Sequence, residues 1–180
     1  MAINGELNLY DLICSMQTKP THLLLFASMI KDIDHILIER GAISDRVRQL
    51  GQQIMQDLDE IDEESEIVLV AVMTGSIIFV ADLMRHLNKK IRISLMTASS
   101  YVGKSMETTG DPTLGKLPTV EGKHVLLVDD ILDSGKTLTR IRKELNEQQP
   151  ASLHSCVLLR KTIDSAMNVP CEYVGFDIED

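Results

Sequence analysis

The sequence has few of the residues that build disulfide or metal frameworks. It contains three cysteines, Cys14, Cys156 and Cys171, which are widely spaced and form no CxxC pair. An odd, scattered set of this kind argues against a disulfide scaffold and a zinc site, and it predicts a reducing, cytoplasmic setting. The five histidines form no HExxH motif. We therefore expect the cysteines and histidines to be ordinary core or surface residues.

Positive charge and long apolar runs are also scarce. The chain has 18 lysines and arginines against 27 acids, and its net charge of −9 argues against a nucleic-acid surface. Any phosphate-bearing ligand must therefore be held by a local site. The apolar run Leu23–Phe26 is far shorter than the roughly 20 residues of a membrane span and has no basic segment before it. Neither a span nor a signal peptide is predicted.

The most informative stretch runs from Gly122 to Arg140 and reads GKHVLLVDDILDSGKTLTR. Its apolar and β-branched part, residues 124–128, predicts a strand buried on both faces of a parallel sheet. A helix with one apolar face is predicted over residues 137–147. Between them lie an acidic pair, a further acid and a turn of small polar residues, namely Asp129 and Asp130, Asp133, and Ser134, Gly135, Lys136 and Thr137.

This order of residues favours a ligand with two chemically different ends. The turn at a helix N-terminus presents backbone N–H groups and hydroxyls, which suit a phosphate. Asp129 and Asp130 would repel that phosphate, so they must face sugar hydroxyls or a divalent cation. Ribose 5-phosphate carries a phosphate at one end and hydroxyls at the other, and it fits both halves.

Two other interpretations of this stretch are available. Gly135, Lys136 and Thr137 match the end of the nucleotide-binding P-loop GxxxxGK[ST], but Asp130 stands where its first glycine is required. A plain polar connection between a strand and a helix is the second alternative. Three acids and an S-G-K-T turn within nine residues argue against it, because a plain connection needs only one glycine or asparagine.

The rest of the chain alternates strands and helices. Asp32–Ile38 is predicted as a short strand, with Ser44 capping the next helix, whose apolar face contains Val47, Leu50, Ile54 and Leu58. Further strands are predicted at 67–72, 91–97, 152–159 and 172–178, and a helix at 77–87.

Four loops follow the carboxyl ends of predicted strands, where ligands bind in open α/β sheets. They contain Thr74 and Gly75, Ser100 and Tyr101, residues 129–137, and Lys161. The M-T-G-S turn at 73–76 is a second possible anion site in front of a helix. Residues 98–121 show no periodicity, which is typical of a functional lid or of a plain surface loop.

VLLVDDILDSGKT at 125–137 resembles the phosphoribosyl-pyrophosphate (PRPP) signature of type I phosphoribosyltransferases, and D-S-G-K-T is most similar to the hypoxanthine(-guanine) branch. The resemblance implies an α/β fold with a mostly parallel twisted sheet flanked by helices, a mobile active-site loop and a small hood. It covers roughly residues 30–180, so we predict a phosphoribosyltransferase domain at 29–180 and an extension at 1–28. Met29 is a possible start, and the family typically continues beyond Asp180 with an arginine that helps hold pyrophosphate.

The resemblance also implies roles for individual residues. Ser134–Thr137 would bind the 5-phosphate of PRPP, and Asp133 would be the general base toward the purine. Asp129 and Asp130 would hold the ribose hydroxyls, directly or through Mg²⁺. The remaining implied contacts are Thr74 and Gly75 with pyrophosphate, Ser100 and Tyr101 in the mobile loop, Lys161, Tyr173 and Val174 with the purine, and Asp180 near the metal.

The implied reaction is purine salvage, in which hypoxanthine, and guanine as well, joins PRPP to give IMP or GMP and pyrophosphate. The implied enzyme is cytoplasmic, uses Mg²⁺ and forms a dimer or tetramer, without nucleic acid or membrane partners. Two alternatives remain at this point: an RNA-binding regulator built on the same fold, against which the acidic balance argues, and a catalytically impaired homologue.

Overall fold

A computed structural model of the chain describes residues 36–99 and 113–179. The chain divides into two units, residues 1–39 and 40–180. Of the first unit only residues 36–39 are described, and they form neither a helix nor a strand. The fold below belongs to the second unit. No helix in the described part of the chain is long and apolar enough to cross a membrane.

The second unit is built on a six-stranded sheet. Its strands, in chain order, are β1 (Ile67–Met73), β2 (Ile91–Ser99), β3 (Thr113–Leu114), β4 (His124–Leu132), β5 (Ser152–Lys161) and β6 (Tyr173–Ile178). They lie in the order β3-β2-β1-β4-β5-β6, and all neighbours run parallel except the short β3, which is antiparallel to β2. The predicted α/β fold with a mostly parallel sheet is confirmed.

Helices cover both faces of this sheet. They are α1 (Arg40–Asp59), α2 (Ile77–Met84), α3 (Lys136–Asn146) and the single turn α4 (Asp164–Met167). One core cluster joins α1 and α2 to alternate residues of β1 and β4, and a second joins α3, α4 and Val120 to the other face. Because both faces are buried, β1 reads as the unbroken apolar run IVLVAVM. The predicted apolar face of α1 is confirmed, since Val47, Leu50, Ile54 and Leu58 are all buried.

Two local predictions are wrong. Ile36–Ile38, the described end of the strand predicted at 32–38, forms no strand, and Ile36 and Leu37 are each 65% exposed. An apolar run forms a strand only where a neighbouring strand pairs with it. Ser44 does not cap α1, because the helix already begins at Arg40 and Ser44 lies inside it.

A partly buried ion pair joins α3 to the start of β6. Both terminal nitrogens of Arg142 donate to Glu172, at 3.1 and 3.2 Å, and Arg142 also donates to the buried Ser155 hydroxyl at 2.5 Å. Glu172 accepts a further hydrogen bond, of 2.6 Å, from the backbone N–H of Ser155. The Glu172 carboxylate therefore accepts hydrogen bonds from three nitrogen atoms, two of Arg142 and one of Ser155.

We expect Glu172→Ala to lower the free energy of unfolding by about 2 kcal/mol, because it leaves a largely buried guanidinium and a backbone N–H without their acceptor. Urea denaturation followed by circular dichroism measures this change. The matched control is Glu144→Ala, which removes the exposed pair with Arg140 and should cost less than about 1 kcal/mol. Equal losses in the two variants would contradict the structural role of Glu172.

Candidate active site

The candidate site lies at the carboxyl ends of β1 and β4. Both β4 and β5 are longer than predicted, so Asp129 and Asp130 lie within β4 and Lys161 is the last residue of β5. A cavity of about 290 Å³ opens at this edge. It brings together two of the four predicted loops, and its lining includes Gly75, Asp129, Asp130, Asp133, Ser134, Gly135 and Thr137.

The acidic pair on β4 is held by its own backbone. Asp129 is 9% exposed and accepts a hydrogen bond of 2.9 Å from the N–H of Asp130. Asp130 in turn accepts one of 3.0 Å from the N–H of Ile131. Burial, and then the neighbouring Asp130 carboxyl, raise the pKa of Asp129 to about 8. A bound cation, or the hydroxyl groups of a ligand, would stabilise the charged form of this buried carboxylate.

The acidic pair fits a divalent cation that binds together with its substrate. The described residues contain no cluster of three or more histidine, cysteine, aspartate or glutamate side chains that could hold a metal. Mg²⁺ is commonly bound by one or two carboxylates, with water and substrate oxygens completing its shell. Asp129 and Asp130 match that donor set. They do not match a structural zinc site, which takes all four of its ligands from the protein.

The turn after β1 lies directly against the acidic pair. A Cβ atom added to Gly75 would stand 2.1 Å from Oδ2 of Asp130, so only glycine leaves room for this carboxylate. Ser76 is fully buried and its hydroxyl donates to the carbonyl of Val72, which closes the turn. The Met73–Thr74 peptide bond is cis. Nothing in the sequence indicated the contact between Gly75 and Asp130.

The turn before α3, which is predicted to bind phosphate, depends on a second glycine. Gly135 precedes the first residue of α3 with φ of +80°, a left-handed conformation that favours glycine. An added Cβ would also lie 2.4 Å from Cγ2 of Val169 and 3.1 Å from the carbonyl oxygen of Ser165. No side chain of the described residues caps the helix. The N–H groups of its first turn therefore remain available to an anion.

Asp133 and Lys161 form an ion pair at the outer side of the cavity. Lys161 Nζ lies 2.8 Å from Asp133 Oδ1, and the Asp133 side chain is 59% exposed. The strand register explains this contact. Leu132 of β4 lies beside Arg160 of β5, so the residues that follow them, Asp133 and Lys161, are also neighbours. Two of the four residues predicted to face the purine, Asp133 and Lys161, therefore lie next to each other.

Tyr173 and Val174 are not brought to this site. Tyr173 is 6% exposed and begins β6, at the end opposite Ile178, which pairs with Lys161. Its hydroxyl donates to Asp57 of α1, and burial followed by this hydrogen bond raises the pKa of Tyr173. Val174 packs against the core of the other face. These placements do not support the predicted contacts with a purine. An aromatic residue followed by a valine is also common at the start of a buried strand, so the pattern by itself does not indicate a binding role.

The remaining predicted residues have different positions. Thr74 is exposed beside Gly75. Lys136 lines a larger groove, of about 910 Å³, which runs along α3 next to Ser134. Ser100, Tyr101 and Asp180 lie outside the described residues.

Comparison with known proteins agrees with this geometry. A family model described as a phosphoribosyl transferase domain matches residues 37–180. The chain is 40% identical over 153 residues to the hypoxanthine phosphoribosyltransferase of Escherichia coli K12, which covers 84% of each chain. It is 39% identical to the hypoxanthine-guanine enzyme of Dictyostelium discoideum, over 79% of this chain and 80% of the relative.

A solved structure shows the same relationship. The crystal structure of a hypoxanthine-guanine phosphoribosyltransferase from Bacillus anthracis matches with a TM-score of 0.70 and 39% identity, over 82% of this chain and 85% of that one. The chain therefore belongs to the type I phosphoribosyltransferases, in their hypoxanthine phosphoribosyltransferase branch.

Proposed function

We propose that this enzyme transfers the ribose 5-phosphate group of PRPP to a 6-oxopurine, hypoxanthine or guanine, and releases pyrophosphate. The observation that carries the proposal is that the acidic pair of β4 and the amide-rich turn before α3 line one cavity of about 290 Å³. A purine ring nitrogen attacks C1 of the ribose, the bond from C1 to pyrophosphate breaks, and the ring nitrogen loses its proton. The products are IMP or GMP and pyrophosphate.

The two ends of PRPP have separate partners in this arrangement. The 5-phosphate accepts hydrogen bonds from the N–H groups of Ser134–Thr137 and from the hydroxyls of Ser134 and Thr137. The ribose hydroxyls face Asp129 and Asp130. Thr74 and Gly75 present backbone N–H groups to the pyrophosphate. Bound Mg²⁺ would neutralise charge on the leaving group, and Asp129 and Asp130 are the residues that would hold it.

The purine base interacts with Asp133 and Lys161, which form the ion pair described above. Asp133 accepts the ring proton of the purine as C1 acquires positive charge, and Lys161 donates to the exocyclic oxygen at position 6. An ammonium group has only donors, so it favours a 6-oxopurine over adenine, whose 6-amino group is also a donor. The 2.8 Å contact between the two side chains supports a shared role at the base.

The proposal also assigns the domain boundaries, the active-site loop and the cellular setting. We assign residues 29–180 to the catalytic domain and residues 1–28 to an extension, consistent with a family match that begins at residue 37. Ser100 and Tyr101 are assigned to the loop that closes over the site and excludes water. The free thiols of Cys156 and Cys171 are consistent with action in a reducing cytoplasm.

The direct test is nucleotide formation from PRPP with hypoxanthine, guanine, xanthine and adenine supplied in turn, with and without Mg²⁺. We expect Mg²⁺-dependent synthesis of IMP and GMP and little product from adenine. Absence of product from every base, with PRPP binding retained, would contradict the proposed function.

Lys161→Ala should relax the choice of base. We expect the ratio of kcat/KM for hypoxanthine to that for adenine to fall by about 10-fold or more, because a donor to the 6-oxo group is lost. Arg160→Ala is the matched control, since Arg160 is the adjacent cation and pairs with Asp177 instead. A loss of PRPP affinity with an unchanged ratio would remove Lys161 from base selection.

A further inference from the structure

The turn that precedes α3 rests on the connection between β5 and β6, residues 162–172. Gly135 of this turn is buried, and a Cβ added to it would lie 2.4 Å from Cγ2 of Val169 and 3.1 Å from the carbonyl oxygen of Ser165. Val169 and Ser165 both belong to the connection. They do not line the cavity of about 290 Å³ that Gly135 itself lines. The connection therefore supports the turn from a side that the proposed ligand does not occupy.

Val169 is held firmly enough to act as a support. Its side chain is 9% exposed and belongs to the core cluster that also contains Leu138 of α3. Its N–H donates to the carbonyl of Ala166, at 3.1 Å, and Ala166 is fully buried in the same cluster. Because interior side chains are close-packed, the core fixes where Cγ2 of Val169 meets the turn.

The conformation of Gly135 explains why such a support is useful. Its φ is +80°, which glycine reaches easily but can leave as easily. Its carbonyl accepts a helical hydrogen bond of 2.9 Å from the N–H of Thr139. In the described part of the chain, no side chain caps α3. Any freedom that remains in the turn is lost when a ligand orders it, and that loss weakens binding.

We propose that Val169 is a positioning residue for the 5-phosphate of PRPP. It keeps Gly135 in its left-handed conformation, so that the N–H groups of the turn are ordered before the substrate arrives. This inference rests on the proposed binding of the 5-phosphate by Ser134–Thr137. Val169 acts through Gly135 and touches no reacting atom. Since the 5-phosphate stays bound while the bond at C1 breaks, the support stabilises the bound substrate and the transition state equally.

Steady-state kinetics of Val169→Ala tests the proposal. The substitution removes both γ-carbons, and we expect KM for PRPP to rise by about 10-fold while kcat changes by less than about 2-fold, because uniform binding is lost. Isothermal titration calorimetry should show the same rise in the dissociation constant of ribose 5-phosphate. The dissociation constant of Mg²⁺-pyrophosphate should not change, because pyrophosphate does not use this turn. Val169→Ile keeps Cγ2 and should keep the wild-type values.

The matched control is Val68→Ala. Val68 is a fully buried valine of the same core cluster, and it lies near the start of β1, away from the carboxyl end that forms the site. It loses the same two carbons, so its melting temperature should fall at least as much as that of Val169→Ala. Its KM for PRPP should stay at the wild-type value. A rise of KM in Val169→Ala alone therefore separates positioning from a general loss of stability.

Two results would overturn the inference. One is a Val169→Ala variant with wild-type values of KM for PRPP and of the dissociation constant for ribose 5-phosphate. The other is an equal rise of KM in Val68→Ala. If Val169→Ala does not fold, as judged by circular dichroism, Val169→Cys replaces it with the same expected direction of change, because it has one γ branch instead of two.

Gly135→Ala distinguishes failure of this inference from failure of the proposed function. If it weakens ribose 5-phosphate binding and Val169→Ala does not, the turn binds the phosphate and only the role of Val169 is wrong. If ribose 5-phosphate binds to Gly135→Ala as to the wild type, the turn is not the phosphate site and both proposals fail.

Discussion

Gly75→Ala is expected to lower kcat/KM for PRPP by about 100-fold while the protein remains folded, because small displacements of positioning groups have effects of this size. The added Cβ would stand 2.1 Å from Oδ2 of Asp130 and 2.8 Å from its Cγ. The carboxylate is the end of a side chain, so it can rotate away and the backbone need not move. The acidic pair would then no longer present both carboxylates to the ribose.

Steady-state kinetics with PRPP varied at saturating hypoxanthine measures this loss, and thermal denaturation measures stability. The melting temperature should change by only a few degrees, as for a surface substitution. Gly41→Ala is the matched control, because a Cβ at Gly41 would meet nothing within 4 Å. Wild-type kinetics in Gly75→Ala would show that the position of Asp130 is unimportant.

Asp133→Asn should reduce kcat by at least about 10-fold, and by as much as about 10⁴-fold if proton transfer is rate-limiting. Asparagine preserves the shape of the side chain but cannot accept the purine ring proton. PRPP binding should persist, because the phosphate and ribose contacts belong to other residues. Single-turnover measurements separate the chemical step from binding and product release.

The control for this variant is Asp45→Asn. Asp45 is exposed to a similar extent, at 61%, and also pairs with a cation, lying 2.9 Å from Arg48. It should keep wild-type turnover, which shows that loss of an exposed ion pair does not itself impair catalysis. If Asp133→Asn also keeps full turnover, Asp133 has no part in proton transfer.

The stretch at 122–140 could be predicted from sequence because its signals are local. A two-sided apolar strand, an acidic pair and a Gly-containing turn at a helix N-terminus each follow from residue types within one short segment. The structure shows these elements in the predicted order along the chain, although β4 extends through Asp129 and Asp130 to Leu132. The helical spacing of apolar residues also predicted the buried face of α1 correctly.

The contacts between distant segments could not be predicted in this way. Gly75 meets Asp130, and Gly135 meets Val169, only because the sheet order places their loops together. The distance of Tyr173 from Lys161 has the same origin. A sequence pattern does not tell which end of a strand a residue occupies, and the structure puts Tyr173 at the end of β6 away from Lys161.

The ion pair between Lys161 and Asp133 shows what the fold adds to a sequence prediction. Each residue was assigned to the purine separately, and the parallel register of β4 and β5 brings them to 2.8 Å. The pairing keeps two opposite charges together at a partly exposed edge of the sheet, and in the proposed function the purine base binds beside them. Specificity and proton transfer are therefore expected to respond together to substitutions at either position.

The central claim is that one ligand is bound at its two ends by the acidic pair and by the amide-rich turn. A crystal structure of the enzyme with PRPP and Mg²⁺ tests it most directly. We predict the 5-phosphate within hydrogen-bonding distance of the N–H groups of residues 134–137, with the ribose hydroxyls or Mg²⁺ at Asp129 and Asp130. A sugar that lies away from this cavity, or one whose phosphate approaches the acidic pair, would contradict the claim.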